Sequence, residues 1–325
     1  MRRRDVIFAL AGAAAWPLPA RAQKAGMPMI GLLSTRSPSD DPHLLGAFRQ
    51  GLKEVGYIEG DNVAIEYRFA ANHYDRLPAL AADLVRRQVA VIVTMGSPAA
   101  PAAKAATATI PIVFGMGDDP VQLGLVASLN RPGGNVTGQT GLLAEVGPKR
   151  LQLLHELVPA ATVFAVLINP TNSNNEFLLR DLQAAARTLA VELHVLHAVA
   201  EGDFEPAFAG MRQLRAGALV IGNDPFFNSR IERLAALTIR HAIPAIYQFR
   251  AFVAAGGLMS YGGSIADGYR QVGNLTGRVL KGEKPADLPV QQHAKIDLFI
   301  NRKTANALGL TLPPSLIARA DEVID

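Results

Sequence analysis

Val91-Ile-Val-Thr-Met-Gly-Ser97-Pro98 reads as an apolar strand that stops at a glycine, a short polar residue and a proline. Closely related endings occur in Ile112-Val-Phe-Gly-Met-Gly-Asp-Asp119-Pro120, Val163-Phe-Ala-Val-Leu-Ile-Asn169-Pro170 and Leu219-Val-Ile-Gly-Asn-Asp224-Pro225. Ser, Asp and Asn accept hydrogen bonds from the free N–H groups of a helix start. Proline suits the first helical position, where its missing N–H costs nothing. Each copy therefore predicts a strand, a tight loop and a capped helix. In a parallel sheet such loops gather at the carboxyl ends of the strands, where open α/β folds bind ligands. Any single copy is explained by ordinary capping; their recurrence predicts polar sheet edges that serve as a site.

Outward from these stretches, apolar strands alternate with helical periodicity. Strands are predicted over 29–34, 63–69, 89–94, 110–114 and 136–140, with helices over 43–55, 75–88 and 121–129. The order then restarts, with strands over 163–168, 192–198, 218–221 and 243–249 and helices over 147–158, 174–189, 204–212 and 228–241. Strand–helix alternation implies βαβ units and parallel sheets. The two halves echo each other: 91–98 leads to Ile110-Pro111, as 219–225 leads to Ile243-Pro244. After Phe249 come a Gly-framed strand over 256–263, a long helix over 265–280, a strand over 296–301 and short helices over 304–308 and 314–320. This tail predicts that the chain crosses between lobes more than once. The expected fold class is α/β, with two Rossmann-like lobes of parallel sheets joined by a multi-crossing hinge. Residues 23–141 and 250–290 would form the first lobe, and 142–249 and 291–325 the second.

The length of 325 residues suits two domains, and 49% hydrophobic content suits a globular α/β chain. No run of apolar residues is long enough to span a bilayer. Arg2-Arg3-Arg4, the apolar stretch 6–15 and Ala20-Arg21-Ala22 have the three-part layout of an export signal, 1–22, cleaved after Ala22. The paired arginines fit the twin-arginine (Tat) route, with Sec as the alternative. The expected product is periplasmic, without a membrane anchor of its own. That segment carries four arginines and one aspartate, so its removal lowers the net charge from +4 to +1. No basic run with interleaved aromatics remains, and no nucleic-acid partner is expected. The absence of cysteine excludes disulfides, thiolate catalysis and Cys-ligated metals.

The seven histidines, His43, His73, His155, His194, His197, His241 and His293, lack metal-ligand spacing. His194 and His197, three apart on a predicted strand, point to opposite faces. No nucleophile elbow or phosphate loop occurs, and Gly115-Met-Gly117 lacks the third glycine of a dinucleotide fingerprint. Asp119 is expected to cap a helix, which leaves Asp118 without an opposed carboxyl for acid–base work. No catalysis, metal or cofactor is expected. What remains is a ligand-binding set: Ser34, Ser97 and Asp118 from the first half, with Asn169 and Asp224 facing them from the second. Helix starts and serine hydroxyls would take a carboxylate, and Asp118 or Asp224 an ammonium group. Tyr247 and Tyr261 would flank the hinge and, with Phe249, wall an apolar body, unless they pack in the core.

Longer stretches carry a resemblance. They are Phe48-Arg-Gln-Gly-Leu-Lys-Glu-Val-Gly-Tyr57, Asn62-Val-Ala-Ile-Glu-Tyr-Arg68, Tyr74-Asp-Arg-Leu-Pro-Ala-Leu-Ala-Ala-Asp-Leu-Val85, Asp119-Pro-Val-Gln-Leu-Gly-Leu-Val126, Leu129-Asn-Arg-Pro-Gly-Gly-Asn-Val-Thr-Gly138 and Gly257-Leu-Met-Ser-Tyr-Gly262. In these the chain resembles ABC-transporter substrate-binding proteins of the tryptophan/tyrosine type. The resemblance implies the type I periplasmic binding protein fold with three crossings between lobes. It also implies an exported monomer that closes on a small organic ligand, an aromatic amino acid or related carboxylate, and delivers it to an ABC permease. A ligand sensor for a membrane receptor and a hydrolase on the same scaffold are the alternative readings.

Overall fold

Strands that are apolar at every position need cover on both faces, and this chain supplies it. The computed structural model describes residues 26–40, 42–141, 146–172, 175–292 and 295–325; the expected signal at 1–22 and His293 lie outside them. In chain order the first lobe holds β1 (Met29–Ser34), α1 (Pro42–Glu54), β2 (Ala64–Phe69), α2 (Leu77–Arg86), β3 (Val91–Met95), α3 (Ala99–Ala106), β4 (Ile112–Met116) and β5 (Val136–Thr140). The second follows with α4 (Gly147–Leu157), β6 (Val163–Ile168), α5 (Asn175–Thr188), β7 (Glu192–His197), α6 (Phe204–Gln213), β8 (Ala218–Ile221), α7 (Pro225–Asn228), α8 (Ile231–Arg240), β9 (Ala245–Tyr247), α9 (Arg250–Ala254) and β10 (Met259–Gly262). Then come α10 (Ile265–Leu280), β11 (Gln291–Gln292), β12 (Asp297–Asn301), α11 (Arg302–Ala307), α12 (Pro314–Arg319) and β13 (Glu322–Ile324).

The first sheet has the order β11-β5-β4-β3-β1-β2 and the second β13-β12-β10-β9-β8-β6-β7. All pairs are parallel except β10 with β12. From β2 to β5 and from β7 to β10 the strand order is the same, the doubly wound arrangement with its switch point beside the first strand. Side chains alternate between faces. In β1 and β3, Ile30, Leu32, Val91 and Val93 enter one core, and Leu33 and Ile92 the other. In β6 and β8, Ala165, Leu167, Leu219 and Ile221 face one side, and Phe164, Val166, Ala218 and Val220 the other.

The tail is where the expected boundaries change. Residues 250–290 are expected in the first lobe, where α10 does pack, but β10 pairs with β9 and β12 in the second sheet. Residues 291–325 are expected in the second lobe, where β12 and β13 do lie, but β11 pairs with β5 in the first. An apolar strand pattern carries no mark of the sheet it will join, so partner choice was out of its reach. Residues 121–129 form turns rather than a helix. Gly124 is left-handed at φ 64°, and the Leu125 N–H returns to the Pro120 carbonyl at 2.8 Å.

One contact places the tail. Helix α10 leaves the second sheet and packs on α1, with glycines at the crossing. A Cβ on Gly51 would fall on the Arg270 carbonyl, and one on Gly273 on the Phe48 carbonyl. We predict that Gly273→Ala forces the helices apart and costs about 3 kcal/mol, the upper end for overpacking, read as a lowered denaturation midpoint. Gly46→Ala, on the same helix α1 with nothing within 4 Å of the added carbon, should instead stabilise by up to about 1 kcal/mol.

Candidate functional site

The strands of both sheets present their carboxyl ends to one cleft, and a cavity lies there. From the first lobe it is lined by Arg36 after β1, Gly96 and Ser97 after β3, Gly115–Gly117 at the end of β4, Gln139 and Gly141. The second lobe contributes Asn223, Pro225, Asn228 and Phe249, and α10 adds Ile265, Gly268 and Tyr269 from its first turns. The i, i+3 and i+4 spacing puts those last three on one helix face. Arg36 is the charged side chain among the lining residues.

Two lining amides end in the cavity wall with bonding capacity left over. Gln139 and Asn228 are 3% and 5% exposed, and Gln139 Nε2 and Asn228 Oδ1 have no hydrogen-bond partner. The amide of Asn228 is oriented by its Nδ2, which donates to Asn223 Oδ1 at 3.3 Å. Buried polar atoms normally find partners, so an unpaired donor and acceptor on facing lobes describe what a bound molecule has to supply.

Of the residues expected from sequence, Ser97 lines this cavity; its Oγ accepts from the Gly117 N–H at 3.3 Å. Ser34 is buried one turn back, where its Oγ accepts from the Arg36 N–H at 3.2 Å. Asp118 is buried behind Gly117, and its carbonyl accepts from Thr140 Oγ1 at 2.7 Å. Neither lines the cavity, and neither do Asn169 and Asp224.

Asn169 and Asp224 come together in a buried network. Asp224 Oδ1 accepts from Tyr74 Oη at 3.0 Å, Asn169 Nδ2 at 3.2 Å and the Phe226 N–H at 2.9 Å. Its Oδ2 accepts from Asn172 Nδ2 at 2.9 Å. Burial pushes the Asp224 carboxyl above its usual range, and these donors pull the other way. Burial, and then the Asp224 charge, raise Tyr74 well above the ordinary phenol, so its hydroxyl keeps the proton that it donates. Asp224 thus carries four donors within the protein and does not line the cavity.

Capping also resolves differently at each loop. Asp224 accepts from the Phe226 N–H of the helix it precedes. Asn169 and Asp119 instead accept from Thr171 N and Val121 N, turning loops rather than starting long helices. Helix α3 has no side-chain cap.

The aromatic assignments change as well. Tyr247 is wholly buried in the second-lobe core, stacked on Phe252 at 4.5 Å between ring centroids. Its hydroxyl is bonded to Thr238 Oγ1 at 2.8 Å, and burial raises its pKa. Tyr261 is half-buried in β10 against the same lobe, and its carbonyl accepts from Arg150 Nε at 2.8 Å. Phe249 is the aromatic of that group that reaches the cavity. Arg36, Gln139, Asn228 and Tyr269 escaped the sequence reading. Arg36, two residues past the first strand, carried a usable signal, because the first βα loop of a doubly wound sheet lies at the ligand edge.

Among the described residues no group of three His, Asp or Glu could hold a metal ion, and no helix is long and apolar enough to cross a membrane. The fold is that of type I periplasmic binding proteins. Among similar proteins, the tyrosine-binding protein of Clostridioides difficile (strain R20291) is 28% identical over 263 residues, 81% of this chain and 75% of that protein. A crystal structure of a conserved domain protein of Vibrio cholerae is 27% identical with a TM-score of 0.83, covering 91% of this chain and 99% of that one. An ABC domain from Streptococcus pneumonia in complex with L-Trp is 25% identical with a TM-score of 0.80, over the same shares of the two chains. Residues 37–324 match the family described as ABC transporter substrate binding protein. The chain belongs to that family of ABC-transporter substrate-binding proteins.

Proposed function

We propose that this protein is the exported carrier of an ABC import system, and that it closes its two lobes on an aromatic amino acid or a related carboxylate. The observation that carries the reading is the interlobe cavity, with Arg36 as its charged lining group and unpaired amide atoms on facing walls. A guanidinium has five donors, so Arg36 can hold a ligand carboxylate alongside the partners it keeps in the protein. Ser97 adds a hydroxyl, and Gln139 Nε2 a donor. The ligand's amino group goes to Asn228 Oδ1 rather than to Asp118 or Asp224. Phe249, Tyr269 and Ile265 take the apolar body. The similar proteins named for tyrosine and solved with L-Trp support the aromatic class.

The protein acts by binding and release, without catalysis, metal or cofactor. Among the described residues no His, Asp or Glu lines the cavity beside the Ser97 hydroxyl to activate it. It works as a monomer in the periplasm after cleavage at Ala22, by the Tat or Sec route, and docks on an inner-membrane permease. N-terminal sequencing of the periplasmic protein is expected to start at Gln23; an uncleaved chain retained in the cytoplasm would contradict export.

The single tryptophan of the chain, Trp16, precedes Gln23, so the processed protein adds no indole emission of its own, and a shift in the emission of added L-tryptophan reports its binding. Titration of protein freed of copurified ligand with L-tryptophan and L-tyrosine should give micromolar or tighter binding. Arg36→Gln should weaken it by about 2–5 kcal/mol, the range for a buried charge that loses its partner. Failure of both amino acids to bind at millimolar concentration, with a copurified molecule that lacks a carboxylate, would refute the ligand class.

Asn228→Ala separates the amino-group contact from the rest. It should cost about 1.5–3 kcal/mol of L-tryptophan affinity, the range for a hydrogen bond to a charged group, and leave indole-3-propionate, which lacks the amino group, unaffected. Equal losses for the two ligands would reject this contact.

A further inference from the structure

We propose that the Tyr74 hydroxyl is a latch between the lobes, which sets the population and lifetime of the closed state without touching the bound molecule. The inference rests on the lobe closure proposed above and is independent of which ligand closes them.

Tyr74 belongs to the first lobe by its ring, which packs in that lobe's core, and to the second by its hydroxyl. That oxygen donates to Asp224 at 3.0 Å and accepts from the Phe226 N–H at 3.3 Å. The other donors to Asp224, from Asn169, Asn172 and Phe226, all come from the second lobe. They travel with it, whether the lobes meet or part. Tyr74 is the donor that arrives from across the cleft. Asn223 and Pro225 line the cavity, whereas Asp224 between them turns away from it and is wholly buried. Ligand contact and latch thus share one loop but not one side chain.

The first-lobe loop that aims Tyr74 is held in a conformation most residues avoid. Ala71 and Asn72, directly after β2, have φ of 53° and 63°. Among the described residues the other non-glycines with positive φ, Gln88, Ala190, Arg215 and Ala242, each follow the end of a helix, where one left-handed residue is a common terminator. Two in succession after a strand have no such reason. Such strain persists only where the surroundings over-determine it. Here Ala70 N donates to Ser34 O at 2.9 Å, Ala71 N to Arg36 O at 3.2 Å and Asn72 N to Thr35 O at 2.7 Å. The loop is therefore fastened to the Arg36 segment that lines the cavity, which ties the latch to the ligand wall.

The sign follows from water. With the lobes apart, water can occupy the place of Tyr74 on the carboxylate. Closure removes that water, and the phenol replaces it. Without the hydroxyl the closed state buries a carboxylate short of one donor, whereas the open state loses nothing. The loss then falls on closure alone. Two further polar contacts across the cleft are weaker: Arg230 Nη1 to Asp40 Oδ1 and Arg180 Nη2 to Gln122 Oε1 are both at 3.5 Å.

The chain has no cysteine, so a Gln122→Cys/Arg180→Cys pair, exposed and on opposite lobes, can be joined by a bis-thiol reagent spanning the reach of the two lost side chains. Its rate reads the closed population with no ligand present. Adding Tyr74→Phe should slow cross-linking by about tenfold, as expected for one hydrogen bond to a charged group. Tyr247→Phe is the control. It removes a buried hydroxyl within the second lobe, so it should lower the melting temperature and leave the cross-linking rate unchanged. Equal rates with and without Tyr74→Phe, including no cross-linking at all, overturn the latch. So does an equal slowing by Tyr247→Phe, which would mark a general loss of stability. Failure of L-tryptophan and L-tyrosine to bind would remove the proposed ligand class and leave this result standing.

Discussion

The backbone of α1 touches the backbone of α10 because Gly51 and Gly273 face each other there. Much of the architecture depends on this contact. Helix α10 follows a strand of the second sheet, and any side chain at the crossing would hold it away from the first lobe. With glycine at both positions it seats on α1, brings the chain back and makes room for β11 on the edge of the first sheet. The same seating carries Ile265, Gly268 and Tyr269 into the cavity wall. One packing contact thus sets both the connection between the lobes and part of the site.

The second constraint is the dehydration of Asp224. A carboxylate taken out of water needs several donors to remain charged, and its own lobe supplies three of the four it has. This network keeps the second-lobe loop rigid and leaves the cavity with Arg36 as its charged lining group. The neutral amides of Gln139 and Asn228 then set the polarity that a ligand meets. Charge and hydrogen-bond capacity are separated in space: the anion is consumed in the framework, and the unpaired amide atoms are presented to the cleft.

Much of the frame was legible from residues alone. Unbroken apolar runs such as 163–168 mark strands buried on both faces, and the matching Ile-Pro strands at 110 and 243 mark the repetition of the two lobes. Helix 265–280 was legible too, from its amphipathic period. The limits have local causes. The span 121–129 looks helical by its apolar spacing, yet Pro120 and a left-handed Gly124 turn it. The strand at 259–262 was visible as a strand, but its sheet was not, because pairing joins residues far apart in sequence.

The amino-acid sequence by itself determined which segments are strands and helices, and that their polar ends gather at sheet edges. These properties follow from periodicity and from residues within a few positions of one another. Only the tertiary structure decided which polar residue at each edge faces the cavity. Adjacent loop residues point apart, so Gly117 lines the cavity and Asp118 does not, and Asn223 and Pro225 line it while Asp224 turns to Tyr74. At Asp224 the partner is Tyr74, 150 residues away on the opposite lobe, and at Asp118 it is Thr140, 22 residues on across the sheet edge. No local pattern carries them, and so the sequence marked the loops of the site while the fold chose its side chains.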